Sequence, residues 1–413
     1  MGLGVEYLRW RCLMTESGHP GFALNLLPHL LSWQDREGVV VFDGEGRLFS
    51  LYHGDSLYRR GLDGSVQRTR RVPTDGHLVR SHRTLDDREA RFVFTVAWEW
   101  AKALEATVRE SKSPAFAGQS TEGLIKRLRQ VLGYTPDVLF QERERFSALY
   151  KPVSVLPPDQ YMALVVQLTH GCPYNECIFC DLYQDRSYHV KSPTELKQWL
   201  PALKKFLGRT LGMRKGIFLG DGNCLALPAR GLLPLLEIVN SAFDGDAVRD
   251  KGVFSFADTR AVVRKSREEL SSLARAGLKR VYLGLETGSQ ALLSFLRKPG
   301  SRDEQIESVN RLKAAGLQAG VIFMTGIGGR RFAQEHITQT VELIRSLPLG
   351  PGDLVYLSRF YAIPGTPYAQ EILDRRIELL GDKEVDDQFE QIRSAIRQEG
   401  VKVAPYDLGG FIY

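Results

Sequence analysis

The stretch ALVVQLTHGCPYNECIFCDLY, residues 163–183, joins a short apolar run to a loop holding three cysteines within nine residues. The run is β-branched and ends at polar residues, as a buried strand does. Five comparable runs follow: KGIFLG (215–220), GVFSFAD (252–258), RVYLGLE (280–286), AGVIFMTGI (319–327) and DLVYLSRF (353–360). Between them lie amphipathic segments with helix-start signals. Ser192-Pro193-Thr194-Glu195 and Ser266-Arg267-Glu268-Glu269 are capping boxes. Gly277, Gly316 and Gly352 stand where the chain leaves a helix for the next strand. Six βα units in series predict a parallel sheet, and the count suits a partial barrel better than a closed eight-stranded one. In such folds the loops after the strand carboxyl ends build the site.

Upstream, residues 1–150 read differently. GVVVF (38–42), RLFSLYH (47–53), SLYRR (56–60) and SVQRTRRV (65–72) alternate as strands do, with Asp43-Gly44 and Asp63-Gly64 as hairpin turns. Phe92, Phe94, Ala97, Trp98, Ala101, Leu104 and Val108 form one helical stripe, and a second helix is expected from Thr121 to Leu132. The expected organisation is a small N-terminal α+β accessory domain (1–150), a proline-bearing linker (151–161), an α/β core with a partial (βα)6 barrel (162–370), and a helical extension with a docked tail (371–413).

With 413 residues, 43% apolar and 25% charged, the chain has globular composition. No apolar run has the length of a membrane span, and the amino terminus lacks a basic-then-apolar leader. Glu6 also argues against myristoylation. A cytoplasmic protein without membrane contact is expected. The net charge of +6 is mild; Arg59, Arg60, Arg68, Arg70 and Arg71 are its densest group, read first as a solvated hairpin face. Five cysteines, an odd number, argue against a disulfide framework.

Cys172, Cys177 and Cys180 are spaced C-x4-C-x2-C, with Phe179 inside the last pair. Three thiolates on one loop can converge on one centre. Zinc is one reading, with His170 or His189 as a fourth ligand. An iron–sulfur cube is the other, held at three corners with its fourth iron open, and soft thiolates suit it better.

These residues resemble the radical S-adenosylmethionine (SAM) superfamily, over about 162–370. The commonest spacing there has three residues between the first two cysteines, where this chain has four. The resemblance implies that Cys172, Cys177 and Cys180 ligate a [4Fe–4S] cluster, beside which Phe179 lies. Gly220-Asp221-Gly222-Asn223 is similar to a Gly-Gly-Glu-like turn whose backbone meets the SAM amino group. Gly284-Leu285-Glu286-Thr287-Gly288-Ser289 resembles a segment of the branch with oxygen-independent coproporphyrinogen oxidases, methylthiotransferases and Elongator-type enzymes. It implies that Glu286 reaches the ribose or methionine part of SAM and that Ser289 caps the next helix. Lys298 stands where some members pair an arginine with the carboxylate. Thr325-Gly326-Ile327-Gly328-Gly329 is similar to the region near the adenosine, and Ala362-Ile363-Pro364-Gly365-Thr366-Pro367 to the loop beside the adenine.

The resemblance further implies reductive cleavage of SAM to a 5′-deoxyadenosyl radical, fed by a flavodoxin- or ferredoxin-type electron donor, acting on an unidentified substrate. Cys12 alone precedes the cluster loop, which disfavours methylthiotransfer, and no cobalamin pattern is visible in 1–150. Oxidation, decarboxylation or rearrangement remains. Cys224 reads as a small core residue more readily than as a site residue. The rival class is a non-catalytic iron–sulfur or zinc module whose arginine hairpin contacts RNA or an acidic partner.

Overall fold

The computed structural model describes residues 23–74, 77–111, 115–116, 118–396 and 401–413. Cys12 and the amino-terminal reading lie outside them. The chain folds as two compact units. One comprises Met1–Leu149, Lys204–Met213 and Ile412–Tyr413; the other comprises Tyr150–Leu203 and Arg214–Phe411.

The first unit is a seven-stranded antiparallel meander. Its strands are β1 (Ala23–Leu27), β2 (Leu30–Gln34), β3 (Gly38–Asp43), β4 (Leu48–His53), β5 (Ser56–Arg60), β6 (Val66–Thr74) and β7 (His77–Thr84), paired in sequence order. Helices α1 (Asp87–Glu110), α2 (Thr121–Gly133) and α3 (Pro136–Leu149) follow. Leu31, Val40, Leu51 and Val66 from the sheet meet Phe94, Ala97, Ala101 and Leu104 of α1 in one core. Phe92 departs from the expected stripe and is 67% exposed. At 100° per residue it sits about 200° from Phe94, on the opposite side of the helix, and Val93 takes the buried place. Strands β1, β2 and β7 and helix α3 were not expected. β7, HLVRSHRT, has no apolar alternation to betray it, and α3 buries only Leu139, Phe146 and the polar Glu142.

One buried ionic knot ties the segment Thr210 belongs to into this unit. Arg47, 1% exposed, donates to Asp43 Oδ2 (2.8 Å), Glu142 Oε2 (3.1 Å), the Phe206 carbonyl (3.1 Å) and Thr210 Oγ1 (3.1 Å). A guanidinium taken out of water needs each of these partners.

The second unit is built on a seven-stranded parallel sheet. In spatial and sequence order its strands are β8 (Leu164–Gln167), β9 (Ile217–Gly220), β10 (Val253–Ala257), β11 (Leu278–Glu286), β12 (Gln318–Thr325), β13 (Leu354–Arg359) and β14 (Lys402–Tyr406). Six are the expected strands, and the sheet stays open between β8 and β14, as a partial barrel does. The seventh lies in the tail, outside the six expected runs, and pairs with β13. Pro405 hides it from sequence reading, yet an edge strand tolerates proline. The main connecting helices are α4 (Pro193–Leu207), α5 (Ala229–Ala242), α6 (Arg267–Arg275), α7 (Gln290–Phe295), α8 (Arg302–Ala314), α9 (Gly329–Ser346), α10 (Pro367–Leu373) and α11 (Asp382–Ala395). No helix among the described residues is long and apolar enough to cross a membrane.

Toward the amino ends of the strands sits a polar cluster around Asp159. Asp159 accepts from Arg280 (2.8 Å), the Tyr282 hydroxyl (2.6 Å) and the Tyr356 hydroxyl (2.8 Å). The carboxyl ends are left for chemistry.

Replacing Glu142 by Gln should destabilise the first unit by about 3 kcal/mol, because it strips a partner from a buried charge. The check is the denaturant midpoint of full-length protein followed by circular dichroism.

Candidate active site

The cysteine loop leaves β8 and is fixed by backbone bonds rather than by secondary structure. Ile178 N donates to Leu296 O (3.1 Å), and Tyr368 N donates to Ile178 O (2.9 Å). Asn175 takes a positive φ of 49° and reaches Tyr183 O (3.2 Å), while the Tyr174 hydroxyl donates to Arg297 O (2.8 Å). Ile178 and Phe179 pack with Leu292, Leu296, Ile327 and Tyr368, and Cys177 and Cys180 lie against this apolar cluster. All three loop cysteines are free and partly exposed.

Burial pushes the Cys177 thiol up to about 12, against the pull of Lys298; Cys180 is raised by burial as well. The three sulfurs lie within electrostatic reach of one another. Thiols of this kind ionise when a metal replaces the proton. Among the described residues, no three His, Cys, Asp or Glu side chains converge as a single-ion site. His170 Nε2 faces Lys191 Nζ at 2.8 Å, and His189 is exposed beside Glu195. Three soft thiolates on one loop suit a cube better than a lone tetrahedral ion.

The turn after β9 touches this loop directly. Gly222 has φ +75°, and a Cβ there would lie 2.0 Å from Gly171 O. Asp221 N donates to Thr169 O (2.7 Å), and Thr169 Oγ1 returns a bond to Asp221 O (2.6 Å). The Asp221 carboxylate accepts from Arg186 (2.7 Å) and from Tyr183. Burial lifts its pKa to about 6, with Arg186 and Tyr183 pulling it back. Its side chain is thus committed to the protein, and so are its own amide and carbonyl. Cys224 is fully buried, bonded to Gly220 O and Thr169 Oγ1, as a core residue. Beyond it, Asn223 donates to Asp258 (2.6 Å) at the end of β10.

After β11 stands a buried ion pair. Lys298 Nζ donates to Glu286 Oε1 at 2.8 Å, with side-chain exposures of 15% and 10%. Burial disfavours the ammonium, but Glu286 and Cys177 outweigh it and hold Lys298 above its ordinary value. Glu286 takes φ 62°, and a Cβ at Gly284 would press on its carboxylate, with Oε1 2.5 Å away. Gly288 lets the segment lie against α9, where a Cβ would be 2.2 Å from Gln339 O. Ser289 caps α7 through Leu292 N (3.0 Å) and donates to Glu335 (2.5 Å). Thr287 is held by the fully buried His336 at 2.7 Å.

The remaining expected contacts are placed but partly spoken for. Gly326 N donates to Gln388 Oε1 (2.6 Å) and Gly328 N to the Tyr368 hydroxyl (2.9 Å). Any ligand contact there must use carbonyl or Cα surfaces. Ile363 is half-buried, and its carbonyl closes the Pro-Gly-Thr turn with Thr366 (2.7 Å). Arg186, Tyr183, Tyr368 and Gln388 carry no sequence signal, apart from the position of Tyr368 directly after the Pro-Gly-Thr-Pro run.

Residues 166–344 match the model of the Radical SAM superfamily. The chain is 24% identical over 242 residues to 4'-phospho-dehydrooxetanocin synthase of Priestia megaterium, covering 54% of this chain and 29% of that one. It is 24% identical over 257 residues to tRNA-2-methylthio-N(6)-dimethylallyladenosine synthase of Aeromonas hydrophila, covering 60% and 49%. Among solved structures, coproporphyrinogen III oxidase from Escherichia coli aligns with a TM-score of 0.41 and 15% identity, covering 56% of this chain and 51% of that one. The chain spans half or less of the length of these curated relatives. The stretch from the second half of β8 through most of α9 is thus a radical SAM superfamily domain.

Proposed function

We propose that the chain is an enzyme that binds a [4Fe–4S] cluster on Cys172, Cys177 and Cys180 and uses it to cleave SAM. The observation that carries this reading is the buried Glu286–Lys298 pair, which lies within electrostatic reach of Cys177 and Cys180. A cation and a carboxylate beside the metal loop match the two polar ends of a methionine moiety. When bound, such a cluster with SAM supplies a 5′-deoxyadenosyl radical that takes a hydrogen atom from substrate.

The protein's own part is positional. The turn at Gly220-Asp221-Gly222 lies against Gly171 and Cys172 and fixes the start of the cysteine loop. Glu286 and Lys298 are held in a fixed, mostly dry geometry, so they need little reorganisation to orient a charged ligand. The apolar cluster of Ile178, Phe179, Leu296 and Tyr368 keeps water from one side of the thiols. Gly326, Gly328 and Ile363 would line the nucleoside end. The electron donor is proposed to be of flavodoxin or ferredoxin type, and the substrate to undergo oxidation, decarboxylation or rearrangement.

Anaerobically reconstituted protein should carry about four irons per chain, absorb broadly in the visible, and release 5′-deoxyadenosine and methionine with dithionite. Cys172→Ala, Cys177→Ala or Cys180→Ala should abolish all three while far-UV circular dichroism stays unchanged. One zinc per chain with no SAM turnover would refute the reading.

Gly222→Ala should leave the sheet folded but sharply lower iron retention, since the new methyl must displace the Gly171 carbonyl next to Cys172. Iron content and the visible band of the purified variant are the readouts. Lys298→Met should keep the cluster yet weaken SAM binding by roughly tenfold to a hundredfold, the cost of removing one charge-assisted bond. Isothermal titration with SAM checks it.

A further inference from the structure

The first unit carries a surface with no part in this chemistry. Between Val66 and Thr84 the sequence holds five arginines against one aspartate, a net +4 of the whole chain's +6. The structure concentrates that charge on a ribbon. β5 accompanies β6 only as far as the Ser56–Arg70 pairing, so Arg71 and the residues beyond it run as a two-stranded extension with β7. There Arg71 stands directly opposite Arg80, both exposed, and Arg68 stands opposite Arg83. Arg83 is neutralised by Glu89 (2.5 Å). Among the described residues, no carboxylate lies within ion-pair distance of Arg71 or Arg80. Like charges directly opposed across a strand pair cost stability. An anion that bridges them removes that cost.

The same sheet face supplies more than charge. Tyr52, Leu57, Thr69 and His82 form one cross-strand row over four neighbouring strands. Arg71 and Arg80 stand two residues further along β6 and β7, hence on the same face. His53, next to Tyr52, turns the other way onto Trp100 of α1. This face therefore points away from the helix. Tyr52 is 46% exposed, and His82 is half-buried with its Nδ1 on Thr69 Oγ1 at 2.9 Å. From Tyr52 to His82 the row crosses three strand spacings, about 14 Å. That is room for two or three unstacked nucleotides. Ser50 and Thr84 flank the row on the same face.

We propose that this face binds single-stranded RNA. Phosphates would bridge Arg71 and Arg80, a base would stack on Tyr52, and the hydroxyls of Ser50 and Thr84 would meet ribose 2′-hydroxyls, the group that separates RNA from DNA. An acidic protein segment would use the arginines and leave Tyr52 without purpose. The proposal is independent of the cluster and stands or falls apart from it.

The test uses full-length protein and a fluorescein-labelled RNA of mixed sequence, about 20 nucleotides long, read by anisotropy at several salt concentrations. Affinity should fall steeply with salt, by a log–log slope of about −0.7 per phosphate contacted. Arg71→Glu with Arg80→Glu should weaken binding at least about tenfold and flatten the slope by about 1.4. Tyr52→Ala should weaken it about tenfold with the slope unchanged. Reversing the same charge at exposed Lys126 and Lys251 should leave affinity as it was. Absence of saturable binding would overturn the proposal. So would a DNA strand that binds as tightly, polyglutamate that competes equally well, or loss of affinity equal in the Lys126/Lys251 control. All variants lie at exposed positions, and unchanged thermal melts confirm that each is folded.

Discussion

Everything at the carboxyl end of the parallel sheet depends on how closely two backbones approach. Gly171 and Gly222, both with positive φ, bring the cysteine loop and the turn after β9 to a separation that no side chain would permit. Thr169 and Asp221 lock that approach with reciprocal bonds of 2.6 and 2.7 Å. The strands underneath are stiff because they are buried and paired in register. The loop above them has almost no regular structure of its own. Its shape is borrowed from its neighbours, through Leu296 O on one side and Tyr368 N on the other. A cysteine loop held in this way can present three sulfurs without spending side-chain packing on each.

The electrostatics follow from that arrangement. Buried thiols resist ionisation, a buried ammonium resists charge, and a buried carboxylate resists it too. Placed apart, Cys177, Lys298 and Glu286 would each be destabilising. Placed together, Lys298 neutralises Glu286 and lowers the cost of negative charge at the sulfurs. The pair is worth little as a source of stability. What it provides is a cation and a carboxylate already fixed near the thiols.

The sheet was legible in the sequence because buried parallel strands are continuous apolar runs separated by capped helices, and all six such runs appear where their residues place them. The cysteines, the Glu286 segment and the glycine turns were legible for a different reason: each sits at a strand end, where the fold exposes it. What stayed hidden was whatever lacks a period. β7 has no apolar alternation, β14 contains Pro405, and α3 buries too few apolar residues to mark a face. Phe92 shows the limit of a stripe read by spacing alone, since a neighbour one residue on can own the buried direction. Arg186 and Gln388 could not be found, because the partners that give them a role are distant in sequence.

Gly326 and Gly328, expected as ligand contacts, show how a glycine pattern can serve the fold itself. Both residues take positive φ, yet their amides are already bonded to Gln388 and Tyr368. Glycine there serves the packing of α9 and α11 at least as much as any ligand, since a Cβ at Gly326 would meet Val385 at 3.0 Å. Tyr368 makes the point more sharply. Its hydroxyl accepts from Gly328, its amide donates to the cysteine loop, and its ring packs on Phe360 at 4.7 Å. One residue thus couples the loop after β8 to the loops after β12 and β13. Any movement of the loops after β12 and β13 would be felt at Ile178, one residue from Cys177, and this coupling is a property of the scaffold rather than of whatever it binds.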